Sequence, residues 1–184
     1  LNFAYIYEIW AIYKLVISLK EAGYQLKKGG VEFTKKLEGK EAKAIFLLEK
    51  NESRVKIIWE MRFPPTIEDS VYMGSLVKEL GIDNIEFRIK PDIIILVDTN
   101  DVKKAIIGDI KFSINSQHTS LPRLKDLYKI LGYILDIRNS KIFQDRKIEG
   151  IIIYPGDAYP MKIPIIQTES PHQTIYLNEV PLNY

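Results

Sequence analysis

Apolar positions recur at helical spacing over Asn2–Ala22. Phe3, Ile6, Trp10, Tyr13 and Ile17 fall along one side, and Tyr5, Ile12, Leu15, Val16 and Leu19 along another. This predicts a helix that ends at Gly23 and, being apolar on so many sides, is largely buried. Ala44–Leu48 and Arg54–Trp59 read as two strands joined by a Glu-Lys-Asn-Glu turn. Pro64–Pro65 breaks the chain, and a short helix follows within Thr66–Leu80, stopping at Gly81. Ile85–Ile89 leads into two apolar runs, Ile93–Val97 and Ala105–Ile107, around a polar turn at Asp98–Lys103. Ile114–Ser120 is polar and reads as a loop over a cleft. Leu121–Arg138 reads as a helix with Ser120 as N-cap and Pro122 in its first turn. Leu124, Tyr128, Leu131 and Leu135 form its expected core face, with Lys125, Lys129 and Tyr133 on a neighbouring face. Ile151–Tyr154 is a short apolar strand. Pro160, Pro164, Pro171 and Pro181 restrict the tail to short edge strands such as Thr174–Leu177.

One hairpin breaks this pattern. Asp92, after Pro91, and Asp109, two positions before Lys111, stand where buried strands should be apolar. An ionised carboxylate is rarely buried unless it is paired or holds a metal. If the strands close around Asn100–Asp101, Thr99 faces Val102 and Asp92 falls opposite Asp109; a four-residue loop over Thr99–Val102 gives the same register. Facing residues have Cβ atoms roughly 4.5–5.5 Å apart, so like charges there repel unless something positive lies between them. Lys111 shares a face with Asp109, while Ile110 points into the core. Two carboxylates and a lysine at one spot suit a divalent-cation site. The plainer reading is two strand-ending aspartates, one of them neutralised by a lysine.

Composition narrows the field. At 184 residues, with 46% hydrophobic and 27% charged residues, the chain fits one globular domain with a substantial core, residues 1–184. A net charge of +2 announces no nucleic-acid partner, so such binding needs a local patch. The absence of cysteine excludes disulfides, zinc–thiolate centres and cysteine nucleophiles, and fits a cytoplasmic protein. No apolar run is long enough to span a membrane, and Leu1–Tyr13 lacks the features of a signal peptide. The start within a helical pattern, without methionine, reads as part of a longer chain. Abundant Ile and Lys with little Met lean towards a thermophile. The lysine-rich stretch Tyr24–Lys43 reads as a solvated surface.

Pro91-Asp92 and Asp109-Ile110-Lys111, set among helix, strands, helix and strand, resemble the PD-(D/E)XK nuclease superfamily. Tyr7-Glu8-Ile9-Trp10 is similar to the Tyr-Glu-x-Trp signature of nuclease domains in McrC-type modified-cytosine restriction systems. Asp126-Leu127-Tyr128-Lys129 with Tyr133 resembles the helix after their motif, and Ile152-Ile153-Tyr154-Pro155 the strand beyond it. Lys129-x-x-x-Tyr133 also has the spacing of the Gln-x-x-x-Tyr element of RecB-like members, with Lys in place of Gln. The resemblance covers most of residues 2–157 and leaves about 158–184 as a proline-rich C-terminal extension.

It implies an α/β fold with a restriction-endonuclease-like αβββαβ core, a mixed sheet flanked by helices. It also implies Mg²⁺ or Mn²⁺ held by Asp92, Asp109 and the Ile110 carbonyl, with Glu8 completing the shell in some members. Lys111 would stabilise developing charge, and Lys129 and Tyr133 would contact substrate. Apart from the resemblance, Lys125, like Arg123 near the start of the second helix, reads either as a phosphate-binding residue or as merely solvated. For Glu8 two readings stand: a structural partner for a tyrosine or lysine, or the edge of the metal site. His118 and His172 read as structural or solvated, and Tyr128 as core. The expected activity is metal-dependent phosphodiester hydrolysis by a DNA endonuclease of a restriction or defence system, with RNA left open as substrate. NTP hydrolysis would fall to a partner or a further domain, because no Walker motif is present. A homodimer would suit double-strand cleavage. The competing class is a nucleic-acid-binding or scaffold domain of the same fold without catalysis.

Overall fold

The computed structural model describes residues 2–29, 35–81, 89–112, 124–156, 166–167 and 173–181. The stretch Ile85–Ile89 that leads into the hairpin, apart from Ile89, the Ile114–Ser120 loop, Arg123, His118 and His172 lie outside these residues. In chain order the elements are α1 (Phe3–Glu21), β1 (Gln25–Lys28), β2 (Lys35–Leu37), β3 (Lys40–Ala42), β4 (Ala44–Lys50), β5 (Ser53–Trp59) and α2 (Val71–Leu80). They continue with β6 (Ile93–Asp98), β7 (Lys103–Ile110), α3 (Leu124–Ile137), β8 (Lys147–Gly156), β9 (Ile166–Gln167) and β10 (Gln173–Pro181).

The protein is mixed α/β. Its main sheet runs β1-β4-β5-β6-β7-β8-β10-β9, with β2 and β3 forming a separate pair. Pairing is antiparallel except at β7/β8 and β8/β10. A parallel pair needs a long crossover, and α3 lies within the connection from β7 to β8. Strand alternation gives the sheet two apolar faces. Ile94, Leu96, Ala105, Ile107 and Ile152 lie with Ile130, Ile134 and Ile137 of α3. Ile93, Ile95, Ile110, Ile151 and Ile153 lie with Tyr7, Ala11, Ile12 and Val16 of α1. The two helices therefore cover opposite faces.

Several expectations change. Helix α1 starts and ends as its pattern predicts, with Asn2 accepting from the Tyr5 N–H and Gly23 at φ +91°. It is not largely buried, however: Phe3, Ile6, Ile9 and Tyr13 are exposed, because one sheet face covers only the Tyr7–Ala11–Ile12–Val16 stripe. Helix α3 is turned from its expected orientation. Leu124 and Tyr128 are 65% and 64% exposed, and the isoleucine stripe meets the sheet instead. That rotation brings Asp136 to the N-terminus of α2, whose N-cap Ser70 makes no side-chain cap of its own. Asp136 accepts from the Tyr72 and Met73 N–H groups at 2.6 and 3.3 Å and from Ser70 Oγ at 2.8 Å. In the tail, β10 is nine residues long and lies between β8 and β9, not at the edge. Its interior contains no proline, since Pro171 precedes it and Pro181 ends it, so its amides are free to pair. Lys40, expected on a solvated surface, is buried and pairs with Asp69 at 2.7 Å.

Candidate active site

The β6–β7 hairpin has the register that the turn chemistry predicts. Asp98 faces Lys103, Ile93 faces Gly108, and the Thr99 N–H closes on the Val102 carbonyl at 2.9 Å. One step beyond Ile93, the Asp92 and Asp109 carboxyls lie side by side, close enough for each to shift the ionisation of the other. Both lie on the α3 face, in phase with Ile94 and Ile107. Asp109 is fully buried. Asp92 Oδ2 also accepts the Ile110 N–H at 2.8 Å. On the opposite face Gly108 lets the neighbouring strands pack closely, because a Cβ there would come within 2.5 Å of Ile93 Cγ2 and 2.7 Å of Ile151 Cγ2.

Two lysines converge on Asp109. Lys111 Nζ lies 2.5 Å from Oδ2, a contact ion pair whose angles fall short of a hydrogen bond. Lys129 Nζ reaches down from α3 and donates to Oδ1 at 2.7 Å, while lying 5.3 Å from the centre of the Tyr133 ring. These contacts divide the two acids. Burial and the Asp109 charge push the Asp92 carboxyl up to about 7. Burial also works to raise Asp109, but the two ammoniums override it and hold that carboxyl below its usual value. Burial would lower Lys129, yet the Asp109 contact keeps its ammonium above its ordinary range. Tyr133 is raised by burial. Lys125, one turn before Lys129, is exposed.

Glu8 stands elsewhere. Helix α1 covers the other sheet face, and the charged neighbours of Glu8 are Glu60, Lys43 and Lys90. The Trp59 indole N–H is directed at its carboxylate without reaching hydrogen-bond geometry. Burial, then Glu60, raises the Glu8 carboxyl. Glu60 was not singled out in the sequence. It is 8% exposed, sits at φ +46°, and pairs with Lys43 at 2.7 Å and Lys90 at 3.1 Å. Its N–H donates to the Asp92 carbonyl at 2.9 Å, which ties this cluster to the hairpin. The available signal was the same as for Asp109, an acid closing an apolar strand. Left-handed backbone at a non-glycine residue leaves no mark in a sequence.

The donor set suits a hard divalent ion. Among the described residues no three acidic or histidine side chains gather at one point. A cation here would rest on the two aspartates, backbone oxygen and water, an arrangement magnesium favours. Residue N–H and C=O groups leave a strand by the same edge. The Ile110 N–H meets Asp92, so its carbonyl is directed to the Asp92 side as well. Compared with known proteins, the chain matches no family model and no curated protein sequence. Among the described residues no helix is long and apolar enough to cross a membrane.

Proposed function

We propose that the protein is a metal-dependent nuclease with a restriction-endonuclease-like core, hydrolysing phosphodiester bonds in DNA as an endonuclease of a restriction or defence system. One observation carries this reading: two carboxyls side by side at the ends of neighbouring strands, with a lysine from the same strand on one of them. Asp92, Asp109 and the Ile110 carbonyl would hold Mg²⁺ or Mn²⁺, which supplies Lewis acidity and charge neutralisation at phosphorus when bound. Lys111, fixed two residues from Asp109, holds positive charge where negative charge develops on the phosphoryl oxygens. Lys129 and Lys125 lie one turn apart on α3 and offer ammoniums to the strand being cut, with Tyr133 beside Lys129. Glu8 serves the neighbouring cluster, and its effect on the site runs through Glu60 and the Asp92 backbone.

The test is incubation with plasmid and single-stranded substrates in Mg²⁺ or Mn²⁺, beside Asp109→Ala and Lys111→Ala. Cleavage by the wild type and loss in both variants is the expected result. Cleavage that survives both substitutions would overturn the assignment. Tight nucleic-acid binding without cleavage would favour the binding or scaffold class.

A further inference from the structure

Asp109 has no exposed surface, and a lysine approaches each of its oxygens. The two lysines are not equivalent. Lys111 belongs to the same strand, two residues away, and is tied to that position by its backbone, whose N–H donates to the Ile153 carbonyl at 2.8 Å. Lys129 reaches Asp109 from another element on a flexible four-carbon stem, and its side chain is 38% exposed. It can swing outward without moving the sheet. Lys125 lies exposed one turn before it and marks a direction in which a polyanion would lie.

Charge adds a constraint. Two aspartates and two lysines leave the cluster with no net negative charge to attract a cation. A divalent cation entering beside both ammoniums meets a +1 charge within a few ångströms for each. Lys129 also occupies Asp109 Oδ1, an oxygen the cation needs.

We infer that Lys129 is a positioning residue that gates cation entry: its ammonium covers Asp109 until a substrate phosphate draws it off, so metal and nucleic acid bind cooperatively. This rests on the proposed reading of Asp92 and Asp109 as cation ligands. The consequence for the cell is protective, because a nuclease of this kind loads its metal on its substrate and not in free solution. Linkage makes the effect reciprocal, so Mn²⁺ tightens oligonucleotide binding by the same factor.

Free Mn²⁺ is counted by its electron paramagnetic resonance signal while the full chain is titrated, with and without a short phosphorothioate-linked single-stranded oligonucleotide. The wild type should bind Mn²⁺ roughly tenfold more tightly with the oligonucleotide, the scale of one charge removed at short range in a partly screened site. Lys129→Gln should bind Mn²⁺ alone about tenfold more tightly than wild type and gain little from the oligonucleotide. Lys129→Arg, which keeps the charge, should retain the coupling, and Lys129→Met gives a second neutral variant should the glutamine variant fail to fold. If Asp109→Asn abolishes Mn²⁺ binding while Lys129→Gln and Lys129→Met behave as wild type, the gate is refuted and the metal site stands. If Asp109→Asn binds Mn²⁺ as wild type does, the metal site itself is refuted.

Discussion

Two charged clusters of the same composition sit near one end of the sheet. On the α3 face are Asp92, Asp109, Lys111 and Lys129, and on the α1 side Glu8, Glu60, Lys43 and Lys90. Each has two acids and two lysines. Each is also lopsided in the same way, since both lysines hold one acid below its usual pKa and burial raises the other. They differ in what the surroundings leave free. In the second cluster Lys43 is packed against the rings of Tyr5 and Trp59, 4.7 and 4.8 Å away, and the lysines take one oxygen of Glu60 each. That is a clamp between helix and sheet. In the first, neighbouring strands set the two carboxyls side by side, and both lysines converge on Asp109 alone. Composition alone does not distinguish the two clusters; the apposition of two carboxyls on neighbouring strands does.

The largest expected contrast is in activity. Asp109→Asn should lower cleavage by about a thousandfold or more, the scale of losing a principal charge-stabilising group. Glu8→Gln should cost less than about tenfold, since it acts only through Glu60. Equal losses from both would merge the two clusters into one site. In stability the order turns around. Gly108→Ala forces a Cβ against Ile93 and Ile151 and should cost about 2–3 kcal/mol in a urea melt. Glu60→Gln removes the charge that both lysines answer and should cost about 2 kcal/mol, whereas Asp109→Asn relieves repulsion with Asp92 and should cost less. A stable Glu60→Gln protein would show that the second cluster is not a clamp.

What was legible in the sequence follows from how local each signal is. The hairpin register came from turn chemistry and strand alternation, both short-range, so Asp92 and Asp109 could be set face to face. The orientation of α3 could not be read, because it carries two apolar stripes, Leu124–Tyr128–Leu131–Leu135 and Ile130–Ile134–Ile137, and periodicity cannot rank them. The choice depends on Asp136 reaching the start of α2 and Lys129 reaching Asp109, contacts between distant parts of the chain. Glu8 shows the same limit. Its residue type and motif suggested the metal site, while the layer that α1 occupies put it beside Glu60.

The smallest effect separates the clusters by pH. Burial and the Asp109 charge push the Asp92 carboxyl up to about 7, against 3.8 for the free group, so the folded state favours a proton that the unfolded chain has released. The unfolded state then binds fewer protons across that window, and stability falls as pH rises from about 4 to 7. Asp109 has the opposite sign: held below its usual value, it adds stability above the ordinary carboxylate range and loses it in acid. Between pH 5 and 8 Asp109 is already ionised, and the Asp92 component dominates at this face. It should lower stability as pH rises, with a slope that cannot exceed about 1.4 kcal/mol per pH unit for one proton. Asp92→Asn should flatten that part of the curve, and saturating Mn²⁺ should reverse it if, as proposed, the cation binds the ionised pair. Glu8→Gln should remove only a separate contribution of the same sign, untouched by Mn²⁺. Melts at pH 5, 6, 7 and 8 with and without the ion decide between them: a Mn²⁺-sensitive slope that survives Asp92→Asn but disappears in Glu8→Gln would place the cation in the wrong cluster.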